Sequence, residues 1–144
     1  MTRAQQSIYF HFPAGRVYLP QRTSLKKHLL RIFKDHGKRV GEVNFIFCSD
    51  AELLKINIQY LNHHTLTDII TFPYNEPDEP ILSDIFISID RIKENAAKFK
   101  TSVVSELYRV MFHGALHLCG FNDKTQHQKS IMRQKENHYL DLYH

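Results

Sequence analysis

The segment "FHGALHLCGFND", residues 112–123, carries the side chains best suited to chemistry. His113 and His117 lie one helical turn apart, so on a helix both imidazoles leave the same face. Two neutral ring nitrogens held that way bind one divalent ion, as in the helix-borne histidine pair of zinc peptidases. A straight helix does not deliver a third ligand to that ion from its own next turn. Gly120 removes the obstacle, because glycine accepts the left-handed conformation that ends a helix and swings the chain back. Asp123 then follows with a hard oxygen donor. The pattern H-x3-H-x2-G-x2-D has the spacing of the metzincin signature, with aspartate for its last histidine. The expected site is therefore one zinc ion on His113, His117 and Asp123 with an open fourth position. His127 is the rival third ligand, ranked lower because it falls inside the next helix.

The residue after the first histidine narrows the reaction. Zinc peptidases place Glu there as general base, whereas this chain has Gly114. Peptide or amide hydrolysis loses its usual proton acceptor. A cation in such a site still neutralises charge on a phosphodiester. A non-catalytic alternative also stands, in which the metal only pins helix to loop; a structural zinc is closed by four protein ligands.

The elements that must position these residues are of mixed type. Ile8, Phe10 and Phe12 alternate as an opening strand, and Val43, Phe45 and Phe47 as a second. "TDIITFP" reads as a third strand ended by Pro73, and "SDIFISI" as a fourth. Thr23 is expected to cap a helix ending at Gly37, and "SDAE" from Ser49 to Glu52 is a capping box for the next. Asp90 is placed as the cap of a short helix through Phe99, and Thr101 or Ser102 as the cap of the long helix bearing the histidines. Thr125 with Gln128 opens a terminal helix. The expectation is one α+β domain over residues 1–144, with a small, mostly four-stranded sheet and about five helices.

Charge is unevenly distributed about a net +4. Residues 1–40 hold nine Lys or Arg against one acid, residues 41–94 three against ten, and residues 95–144 seven against four. The stretch from Arg22 to Arg39 is thus a candidate phosphate-binding surface or a solvated helix face. Cys48 and Cys119 sit in apolar surroundings and make no disulfide framework, which points to the reducing cytoplasm. The start lacks the apolar core of a signal peptide, and no run approaches a membrane span.

"HGALHLCGFND" closely resembles the H-G-x-L-H-L-x-G-Y-D-H motif of the YbeY family of bacterial rRNA-processing metalloendoribonucleases. Upstream, "NIQYLNHHTLTDIITFP" is similar to the family's N-x-x-Y and T-D-V-L-S-F-P segments, and "LSDIFIS" to its L-G-D-I-x-I strand. The resemblance implies an α+β fold, a zinc held by three side chains, and cleavage of single-stranded RNA in 16S rRNA 3′-end maturation and ribosome quality control. It implies ribosomal RNA and the small ribosomal subunit as partners. Two positions depart from the family pattern. Asp123 stands where the family has its third histidine, and Leu61 where many members have Arg after the tyrosine. Arg109, one turn before His113, is the local substitute for a phosphate contact; its bland role is an ion pair with Glu106. Asp68 and Asp84 are candidates to order the site from behind, Asp68 being placed first as a turn cap. His63 and His64 read as polar loop residues within reach of RNA.

Overall fold

Nine elements, seen in a computed structural model that describes residues 7–143, alternate along the chain. Residues 1–6, part of the start weighed above as a leader, and residue 144 lie outside that range. The strands are β1 (Ile8–His11), β2 (Val40–Cys48), β3 (Ile69–Pro73) and β4 (Ile81–Ser88). They form one sheet in the order β1-β2-β4-β3, with β1, β2 and β4 parallel and β3 antiparallel at the edge. The helices are α1 (Arg22–Asp35), α2 (Asp50–Leu61), α3 (Ile89–Lys98), α4 (Val103–Leu118) and α5 (Gln126–Tyr143).

Alternation along the central strands separates two faces. Val43, Phe45 and Phe47 of β2 and Ile81, Ile85 and Ile87 of β4 point to one side and are buried. Leu25, Leu29, Ile32 and Phe33 of α1 meet them there, together with Leu107, Met111, Phe112 and Leu116 of α4. The other side carries a smaller cluster in which Leu53 of α2 packs with Cys48 and Ile70. Helix α4 is thus a wall of the main core, in contact with α1, α3, α5, β3 and β4.

The caps follow local chemistry with two exceptions. Ser49 and Glu52 close the expected capping box on α2. Ser102 Oγ accepts from Ser105 N–H at the head of α4, and at the head of α5 Thr125 Oγ1 accepts from Gln128 N–H while Gln128 Oε1 accepts from Thr125 N–H. Helix α1, however, starts at Arg22, before Thr23; Gln21 precedes it in the left-handed region (φ 52°) with no side-chain cap. The cap of α3 is Ser88 and not Asp90, because β4 runs into the helix without a loop. Asp90 instead accepts the Asp50 N–H at 2.8 Å, tying the head of α2 to that of α3.

Gly114 decides how closely α4 lies on the sheet. A Cβ there would stand 3.0 Å from Ile69 Cδ1 and 3.3 Å from Ile85 Cδ1 and Cγ2. The position that holds the base in zinc peptidases therefore faces the core here, one residue round from His113. Gly114→Glu would both overpack this contact and bury a carboxylate without a partner, each costing on the order of 1–3 kcal/mol or more. The expected outcome is a melting temperature lower by about 10 °C, or insoluble protein. A thermal melt checks it; unchanged melting would mean that the helix has room to spare.

Candidate metal centre

The solvent side of α4 forms one wall of a groove of about 910 Å³. Arg109, His113 and His117 project into it from α4, Lys129, Arg133 and Glu136 from α5, and Asp68 from the segment leading into β3. Asp123 enters from the loop between α4 and α5.

That loop owes its course to Gly120, at φ +105°. Gly120 N–H donates to the His117 carbonyl at 3.0 Å and Phe121 N–H to the Leu116 carbonyl at 3.2 Å. This pair of bonds is a Schellman stop, and the left-handed step at its centre suits glycine. The reversal brings Asp123 Oδ2 to 3.3 Å from His113 Nε2. Two ligand atoms each about 2.0–2.1 Å from one tetrahedral ion keep about that separation from one another.

The ring tautomers suit a metal. His113 Nδ1 lies 2.7 Å from Glu136 Oε2. A carboxylate accepts, so Nδ1 carries a hydrogen, and in the neutral ring Nε2 is the nitrogen left with a lone pair for an ion. His117 Nδ1 lies 3.2 Å from the Phe121 carbonyl, which assigns its hydrogen in the same way. The donor chemistry of His113, His117 and Asp123 therefore fits a divalent ion. The geometry is complete for two of them only. Among the described residues no three His, Cys, Asp or Glu side chains converge closely enough to hold an ion as they stand. The exposed His117 ring has to swing towards the other pair.

Glu136 is the residue that sequence reasoning missed. It is buried, and its other oxygen accepts from Arg109 Nη1 at 3.0 Å. Burial by itself would raise its pKa, but the His113 hydrogen bond, the His113 charge and the Arg109 guanidinium hold it below the ordinary carboxylate range. For His113 burial pulls down, while Glu136, Asp123 and Asp68 push up and prevail. The signal was present in α5: Met132, Glu136, Tyr139 and Leu140 share a buried stripe, and a carboxylate on an apolar stripe needs a partner.

Other expectations are redrawn. Arg109 pairs with Glu136 and donates to Asn137 Oδ1 at 2.8 Å, in place of an ion pair with Glu106 or a free phosphate-binding fork. Asp84 bonds Asn44 and Tyr74 and does not line the groove. Asp68 does line it, with a carboxyl pushed up by burial and opposed by His113; its backbone carbonyl accepts from Ser88 N–H. His63 lines the groove and His64 does not. His127 is exposed outside it. Burial pushes the Cys48 thiol up to about 11 and the Cys119 thiol to about 12, so neither is an available thiolate. No residue from 22 to 39 lines the groove; its cations are Arg109, Lys129 and Arg133.

Glu136→Gln keeps the size of the side chain and removes its charge. Metal affinity should fall about 10–100-fold, as measured by competition with a chromophoric chelator. In metal-free protein the raised His113 pKa contributes stability that is complete below the ordinary value of 6.5 and is lost as pH rises through the folded-state pKa. The fall in melting temperature between about pH 6 and pH 8.5 should therefore be smaller in the variant than in the wild type.

Comparison with known proteins agrees with this architecture. The family model described as Endoribonuclease YbeY matches residues 18–144. The protein named Endoribonuclease YbeY from Flavobacterium psychrophilum is 48% identical over 124 residues, covering 86% of this chain and 88% of its own. Its namesake from Cytophaga hutchinsonii is 44% identical over 138 residues, covering 96% of each. The solution structure of TM1509 from Thermotoga maritima superposes with a TM-score of 0.64 at 27% identity, covering 94% of this chain and 88% of that one. With a family model that spans most of its length and relatives 44% and 48% identical over most of theirs, this chain belongs to the YbeY endoribonuclease family.

Proposed function

We propose that the protein is a zinc-dependent endoribonuclease that cuts single-stranded RNA, acting on the small ribosomal subunit in 16S rRNA 3′-end maturation and ribosome quality control. Membership of a family whose relatives are named endoribonucleases supports cleavage of RNA. One observation carries the site: His113 Nε2 and Asp123 Oδ2 face each other at 3.3 Å in a groove edged by Lys129 and Arg133. Work on ribosomal RNA would place the protein in the cytoplasm.

His113, His117 and Asp123 would hold the ion, which when bound supplies Lewis acidity and charge neutralisation to a phosphodiester. Glu136 fixes the His113 ring in the ligating tautomer, and His113 together with Arg109 keeps Glu136 ionised despite its burial. Lys129 and Arg133 attract the RNA backbone without reading sequence. Peptide hydrolysis is the weaker reading, because the residue after His113 faces Ile69 and Ile85 and has no access to the groove.

His117→Ala should abolish cleavage of single-stranded RNA and lower the bound metal measured by elemental analysis; cleavage that survived loss of the metal would overturn the proposal. Lys129→Ala and Arg133→Ala should each weaken RNA binding alike across sequences and reduce the slope of log affinity against log salt by about 1.

A further inference from the structure

The groove that receives the histidines is also lined by exposed apolar side chains. Leu61, Leu66 and Phe99 line it, and they are 42%, 51% and 57% exposed. Phe99 follows the last residue of α3 and is held by a second Schellman stop: Lys100 N–H donates to the Ala97 carbonyl and Thr101 N–H to the Ala96 carbonyl. Lys100 occupies the left-handed position (φ 55°) where glycine is usual, at an energetic cost. The turn is thus a defined structure, and it presents the ring to solvent. Lys98 Nζ stands 5.6 Å from the ring centroid. Asn95, one helical turn earlier, also lines the groove, and among the described residues its side-chain amide makes no hydrogen bond.

We infer that Phe99 forms a base subsite of the groove, on whose ring an unpaired nucleobase of the RNA strand stacks. The inference rests on the endoribonuclease reading and adds a substrate contact to it. Three observations select the occupant. A flat ring beside a cation is what a nucleotide finds congenial, since base and phosphate are both matched. Lys98 beside the Phe99 ring, and Lys129 and Arg133 in the groove lining, suit a strand that carries one negative charge per nucleotide. The unpaired Asn95 amide offers both a donor and an acceptor to a base edge. A ring presented in this way stacks on the face of a splayed base, a face that a base within a duplex does not offer, which gives a physical source for single-strand selectivity.

The test uses the metal-loaded full chain and one single-stranded RNA oligonucleotide, with an abasic residue moved along it one position at a time. Phe99→Ala should raise KM about 5- to 150-fold, the equivalent of one lost stack, with kcat changed less than about twofold, and Phe99→Trp should restore KM. At one position the abasic residue should raise the wild-type KM equally, and there Phe99→Ala should add nothing. A wild-type KM in Phe99→Ala would overturn the subsite and leave the nuclease standing; the same result with an altered oligomeric state would mark the patch as a protein interface. An equal effect of Phe99→Ala on every abasic oligonucleotide would also overturn it. Wild-type protein that cut no RNA would instead sink the endoribonuclease reading. The abasic series needs no variant, so a poorly folded Phe99→Ala does not remove the test.

Discussion

The close approach of α4 to the sheet at Gly114 is the constraint on which the other features depend. Ile69 and Ile85 leave no space for a larger side chain there without a shift. With Gly114 against the sheet, the neighbouring His113 must point along the helix flank to the groove, and His117 one turn later does the same. The contact sets which face of α4 is wet. It also places β3, whose Ile69 makes the contact, along the same groove that the histidines enter.

A second layer of dependence runs through buried charge. Glu136 is withdrawn from water by α5, and such a carboxylate is stable only with partners. It finds two on α4, His113 and Arg109, so the ion network that locks α5 onto α4 is also the one that fixes the His113 tautomer. Stability and the orientation of the His113 ring are coupled here. A ligand that binds only the assembled site adds its binding energy to that of folding.

Local signals served well wherever the physics is local. The capping box at Ser49 and Glu52 and the glycine stop at Gly120 depend on residues a few positions apart, and both are found as expected. Strand alternation in β2 and β4 needed only side-chain hydrophobicity. Failures came where a distant element intervened. Asp90 is a good cap in isolation but is drawn to the Asp50 amide, 40 residues away. Arg109 has Glu106 at helical spacing, yet it reaches Glu136 on another helix, where the carboxylate is ionised and already fixed by His113. The basic stretch from Arg22 to Arg39 is real as composition, and none of its residues lines the groove.

By itself, the order of residues determined the α+β class, the helix carrying His113 and His117, and the reversal that brings Asp123 back, since all of these rest on periodicity and short-range backbone geometry. Only the tertiary structure decided that Gly114 is a packing residue, that Glu136 stands behind His113, and that Phe99 shares a groove with the histidines. Those relations join residues far apart in the chain, and their proximity is set by how helices and strands fill space together, which no spacing within a single element encodes.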